Sequence, residues 1–210
     1  PVYLDGDTPS AQRYGERFGV VGYPTMILFR PDGTEITRLP GTVDVARYAT
    51  ILDVALADAR PVQELVAKGL AGGDLTQNDW RLLAYNSWGS DVEGRVLAKD
   101  ARPSAFRTLA QRCPPELPGE CARLYFEYLS AMALAAGAKD GPKMDGLERA
   151  DARRRLTALL ADPKAQADNV DNLLYGAEPI VELLSDPGST ERRDLVRARR
   201  ERHVARIDLV

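Results

Sequence analysis

The chain has 210 residues, enough for one large domain or two small ones. Its charges are mixed and nearly balanced, at a formal −3, so it lacks the basic excess that nucleic acid or an anionic membrane surface would select. No apolar run approaches the roughly 20 residues that span a bilayer, and no secretory signal is visible. Arginine strongly outnumbers lysine, which occurs only at Lys68, Lys99, Lys139, Lys143 and Lys164. With abundant alanine, this is the composition of a GC-rich bacterial gene. The chain opens at Pro1, directly in what reads as a strand, and residue 1 is read as an internal point of a longer protein. At the other end Val204, Ile207 and Leu209 continue an apolar pattern without a stop signal.

In chain order, Val2-Tyr3-Leu4 is a short apolar run, predicted as a strand, ended by the turn cluster Asp5-Gly6-Asp7. Ser10 can cap a helix reaching about Val20, with Tyr14 and Phe18 four apart on one face. Gly22-Tyr23-Pro24-Thr25 makes a tight turn. Met26-Ile27-Leu28-Phe29 is continuously apolar, as expected of a strand covered on both faces. Arg30-Pro31-Asp32-Gly33 has the proline and glycine positions of a type I turn. A strand over Glu35 to Leu39 follows. Gly41 then leads into a helix with Val45, Tyr48, Ala49, Leu52, Ala55 and Leu56 at helical spacing.

This ordered set resembles the second half of a thioredoxin-like domain over residues 1–58. The resemblance rests on the strand ending in Asp5-Gly6-Asp7, the aromatic-bearing helix, Gly22-Tyr23-Pro24-Thr25, Pro31-Asp32-Gly33 and Gly41 after the last strand. It implies that Tyr23–Pro24 is a cis peptide facing a Cys-x-x-Cys motif, and that Tyr23 and Pro24 contact an extended protein substrate. The alternative for the same four residues is a plain turn before a strand. The sequence contains no Cys-x-x-Cys. The resemblance also implies a central strand between Val2-Tyr3-Leu4 and Met26–Phe29, and it would precede Pro1. Without it, neighbouring strands keep unpaired backbone groups, an edge that would favour self-association.

Residues 59–210 read as an all-α, multi-helix domain. Helices are predicted from Pro61 to Leu70, from a capping-box-like Thr76-Gln77-Asn78-Asp79 through Trp80, Leu83 and Ala84, and from Pro103 to Arg112. Further on, Cys121, Leu124, Tyr125, Tyr128, Leu129 and Met132 make a wide apolar face. Leu147 to Leu160 is amphipathic, with Arg153-Arg154-Arg155 outward. Val170, Leu173, Leu174, Ala177, Ile180, Val181 and Leu184 form the cleanest helical stripe, and a last helix starts near Thr190. No fixed-period repeat is present, so the array is not a named solenoid.

Little of this carries chemistry. Seven residues, several of them proline, lie between Cys113 and Cys121, unlike a nucleophile with its resolving partner. They read as a structural disulfide closing a loop between helices, with two buried reduced thiols as the alternative. The disulfide reading implies an oxidising compartment, here a bacterial periplasm. A single His203 argues against a zinc site or a Cys/His pair, and Asp5 and Asp7 lack metal-loop spacing. No metal or cofactor is expected. The arginine-rich stretch Arg192 to Arg206 reads as a solvated amphipathic helix rather than a nucleic-acid surface. Trp80, Tyr85 and Trp88 read as core packing, with a peptide groove as the alternative.

The expectation is a partial thioredoxin-like α/β unit followed by a helical domain. The parent protein would be a thiol–disulfide oxidoreductase acting on protein disulfides, and this chain, with no catalytic residue of its own, would be inactive alone. The alternative is a non-catalytic interaction module whose helical array binds a partner protein.

Overall fold

The computed structural model describes residues 2–39, 45–57, 60–138, 141–169, 172–173 and 176–197. Gly41, Val170, Leu174 and His203, together with most of Arg192 to Arg206, lie outside the described residues.

Helix α1 spans Pro9–Phe18. Its cap is Thr8, not Ser10: the Thr8 hydroxyl accepts from the Ala11 amide at 3.3 Å. Pro9 then fills the first helical position, where its missing N–H costs nothing. Gly19 ends the helix at φ 62°, a left-handed conformation that favours glycine. Strands β1 (Met26–Phe29) and β2 (Glu35–Leu39) form an antiparallel pair, Met26 opposite Leu39 and Leu28 opposite Thr37. The turn between them has Gly33 at φ 86° and an Asp32 carboxylate accepting from the Thr34 amide at 2.9 Å. That amide holds the Asp32 carboxyl below its ordinary pKa.

Two expectations are corrected here. Val2-Tyr3-Leu4 forms no strand: Val2 is 87% and Tyr3 92% exposed. A strand needs a partner for its N–H and C=O groups, and none of the described residues supplies one. For the same reason β1 is not covered on both faces. Only Leu28 is buried, while Met26 and Phe29 are exposed.

The helices follow as α2 (Val45–Ala57), α3 (Val62–Leu70), α4 (Gln77–Tyr85), α5 (Arg102–Arg112), α6 (Pro118–Ala136), α7 (Gly146–Ala161), α8 (Pro163–Asp168) and α9 (Ala177–Leu184). Residues 190–197 are also helical. The capping box is reciprocal: the Asp79 amide donates to the Thr76 hydroxyl and the Thr76 amide to the Asp79 carboxylate. Of the apolar stripe, Ala177, Ile180, Val181 and Leu184 are buried, and Gly176 precedes them as the cap of α9. One helical reading changes. Arg153 does not point outward but donates to the Leu184 carbonyl at 2.9 Å.

Helix α6 is central, packing against α4, α5, α8 and α9. Leu124, Phe126, Leu129 and Met132 are buried around more than one face, as a surrounded helix requires. The core is continuous: Leu28, Ile36, Leu39 and Ile51 belong to the same apolar cluster as Leu83, Leu109, Leu129 and Leu184.

The arginines have a recurrent task. The last carbonyls of a helix lack partners within it and carry the negative end of its dipole. Arg112 donates to Gly69 O of α3 at 2.8 Å. Arg123, only 1% exposed, donates to Ala84 O of α4 at 2.9 Å and Asp168 O of α8 at 2.7 Å, with its guanidinium over the Tyr85 ring. Arg153 does the same for α9. Each helix end is thus tied to a neighbouring element by a charged, forked donor.

Candidate functional site

The Tyr23–Pro24 bond is cis. The loop that carries it starts at Gly19, where the Val20 amide returns to Gly15 O at 2.8 Å. It ends where the Thr25 hydroxyl donates to Gly22 O at 2.6 Å, bracing the backbone across the proline. Residues Gly19 to Thr25 include no charged side chain. The loop therefore presents backbone and an aromatic ring, and no acid–base group.

Tyr23 is 64% exposed, as is Val21. Its ring has a defined seat. A Cβ on Gly6 would fall 2.7 to 3.0 Å from the ring atoms, and a Cβ on Gly15 would lie 3.7 Å from the hydroxyl. The ring thus lies flat over Gly6 with its hydroxyl toward α1. The Asp5-Gly6-Asp7 turn, whose Asp5 carboxylate accepts from the Asp7 amide at 3.1 Å, holds that glycine in place. Beside the loop, Phe18 stacks on Tyr14 and meets Phe29, with ring centroids 6.1 and 4.9 Å away.

The loop leads straight into β1. Among the described residues β1 pairs only with β2, so its other edge offers free backbone donors and acceptors. Val2, Tyr3, Leu4, Tyr14, Val21, Tyr23, Met26 and Phe29 are the exposed large apolar residues described between residues 2 and 39. The loop and β1 thus present an apolar face, flanked by the exposed Asp5 and Asp7 beside Gly6.

The sulfurs of Cys113 and Cys121 lie 2.27 Å apart, at disulfide distance, with Cα atoms 5.4 Å apart. Cys113 follows α5, and Cys121 sits in the first turn of α6. The pair closes the loop between those helices and belongs to the helical core, not to the cis-proline loop. Trp80, Tyr85 and Trp88 are buried; Trp88 donates to Leu83 O at 2.9 Å and meets Phe106 edge-on. A cleft of about 470 Å³ between α2, α4 and the start of α6 is lined by both signs of charge, with Arg81 pairing Glu120 at 3.3 Å. No helix among the described residues is long and apolar enough to cross a membrane.

Sequence reasoning missed the groups that steady this site. They are Gly6 and Gly15 beneath Tyr23, and Arg38, Asn86, Asp91 and Arg95 behind it. Asn86 Oδ1 accepts from the Arg38 amide and the Thr37 hydroxyl, both at 3.1 Å, and the Ser87 amide donates to Arg38 O at 2.8 Å. The helical region thereby seals the outer edge of β2. The one available sequence signal was a charged Arg38 inside a buried strand, which demands partners.

Comparisons with curated proteins and with solved structures gave no match. Residues 1–56 match the family model of a thioredoxin-like domain. That span contains the cis-proline loop, α1, both strands and nearly all of α2, so this N-terminal quarter of the chain is similar to a thioredoxin-like domain.

Proposed function

We propose that residues 1–58 are the substrate-facing half of a thiol–disulfide oxidoreductase acting on protein disulfides, and that residues 59–210 form the helical unit supporting it. The observation that carries this reading is the cis Tyr23–Pro24 bond in an exposed loop without charged side chains that leads into β1. Tyr23 and Pro24 hold an extended substrate segment beside the reacting sulfurs. A thiolate of a Cys-x-x-Cys pair attacks one sulfur of the substrate disulfide and expels the other as a thiolate. The second cysteine of the pair then displaces the substrate, leaving the pair oxidised and the substrate reduced. This chain's sequence has no such pair, so the reacting cysteines come from outside it. The compartment is the bacterial periplasm, where a Cys113–Cys121 bond would persist.

Insulin-disulfide reduction tests this. The 210-residue chain should be inactive, and the same chain carrying its native upstream sequence should be active. Turnover by the 210 residues alone, or an upstream sequence without Cys-x-x-Cys, would overturn it. The second outcome favours the other reading, a redox-inactive platform for a partner protein. The absence of Cys-x-x-Cys from the sequence speaks for that reading too.

A further inference from the structure

Three backbone carbonyls at the C-terminal end of α1, those of Arg17, Phe18 and Gly19, are held from outside the helix. Arg95 Nη1 donates to Arg17 O at 3.1 Å. Arg38 Nη2 donates to Phe18 O at 2.5 Å, and Arg38 Nη1 to Gly19 O at 3.4 Å. The Arg38 guanidinium is fixed by its surroundings, whereas that of Arg95 is half-exposed and pairs with the exposed Glu93 at 2.5 Å. Arg38 is 4% exposed, forks onto the Glu35 carboxylate at 2.5 and 2.9 Å, and also reaches Ser90 O at 3.3 Å. Arg95 belongs to a loop wound around the buried Asp91, whose carboxylate accepts from the Arg95, Val96 and Leu97 amides at 2.7, 3.2 and 3.2 Å.

Gly19 lies only four residues before Tyr23. The pinned carbonyls and the Phe18–Phe29 ring contact therefore fix where the loop departs and where β1 ends. We infer that Arg95 and Arg38 are positioning residues for the cis-proline loop: Arg95 from the helical region and Arg38 from β2 together set the place of Tyr23, and with it the affinity for an extended polypeptide. The inference rests on the reading of Tyr23 and Pro24 as the contact site. The groups that link the two regions are charge-assisted donors on helix-end carbonyls, which favour one defined geometry over a slack one.

The test uses the whole isotope-labelled chain and the insulin B chain with carboxymethylated cysteines as probe, followed by backbone amide shifts. Arg95, half-exposed, can be changed without opening the core. Arg95→Ala should weaken binding about three- to tenfold at an unchanged melting temperature, and should shift the Val20 to Tyr23 amides of the free protein. Arg95→Lys, which keeps a donor, should retain most of the affinity. Arg95→Ala should cost nothing further once Tyr23→Ala is in place. If Tyr23→Ala weakens binding while Arg95→Ala changes neither affinity nor the loop shifts, the positioning role is overturned and the contact site stands. If the probe never perturbs the loop, the contact reading fails. The free-protein shifts then still decide whether Arg95 holds the loop, and unmoved shifts reject it.

Discussion

The two edges of the small sheet meet opposite surroundings. The β2 edge is closed by Asn86 and Ser87 of the helical region, and the Arg38 side chain beneath it is fully engaged. The β1 edge is open among the described residues, and Val21 and Tyr23 in the loop that precedes it are exposed. Buried Arg38, Thr37 and the Asn86 carbonyl oxygen hold one another on the closed side, so that side should tolerate little change. The open side holds its apolar residues in solvent, where they add almost nothing to stability and are free to meet a ligand.

Substitutions can break this contrast, starting with the largest effect. Asp91→Ala removes a 4%-exposed carboxylate that serves three amides and pairs with Arg102 at 3.0 Å. It should cost about 3–5 kcal/mol in urea unfolding, because Arg102 is left without its carboxylate partner. Replacing Cys113 and Cys121 by serine should cost about 2–3 kcal/mol, the value expected for so short a closed loop. Intact mass before and after reduction should differ by a pair of hydrogens if the bond forms in the native protein.

A smaller effect is pH-dependent. Burial raises the Tyr125 pKa to about 12. Burial, and then donation to Glu148 at 2.9 Å, raises that of Tyr128. An unfolded tyrosine ionises near about 10. Above that pH the unfolded chain releases a proton that the folded chain keeps, so stability is full below about pH 10 and falls as pH rises towards about 12. Tyr125→Phe should flatten that alkaline slope without changing stability at neutral pH by more than a modest packing difference. Least of all, Val2→Ser with Tyr3→Ser at the exposed N-terminal end should stay within about 0.5 kcal/mol of the parent. A large loss there would show that these residues are packed and would blur the contrast.

What the sequence made legible follows the same division between local and distant causes. β2, the Thr76–Asp79 capping box and the apolar face of α6 depend on spacing within one element, and all three are found as read. The cis-proline loop was legible through its family resemblance. The fate of Val2-Tyr3-Leu4 was not, because a strand exists only with a partner, and the pattern inside three residues cannot report one. The arginines read as a sign of base composition or as solvated helix faces. Their partners are carbonyls 20 to 78 residues away, as Arg38 to Phe18 and Arg95 to Arg17 show. The seat of Tyr23 on Gly6 was hidden for the same reason, since a glycine in a turn cluster does not announce which ring lies over it.

The central claim is that an extended polypeptide docks on the cis-proline loop. Titrating the isotope-labelled chain with the carboxymethylated insulin B chain tests it most directly. The account predicts saturable amide shifts at Gly22, Tyr23, Thr25 and Met26, with none in α6 or α9. Shifts confined to the helical region, or no saturable shift at the loop, would contradict it.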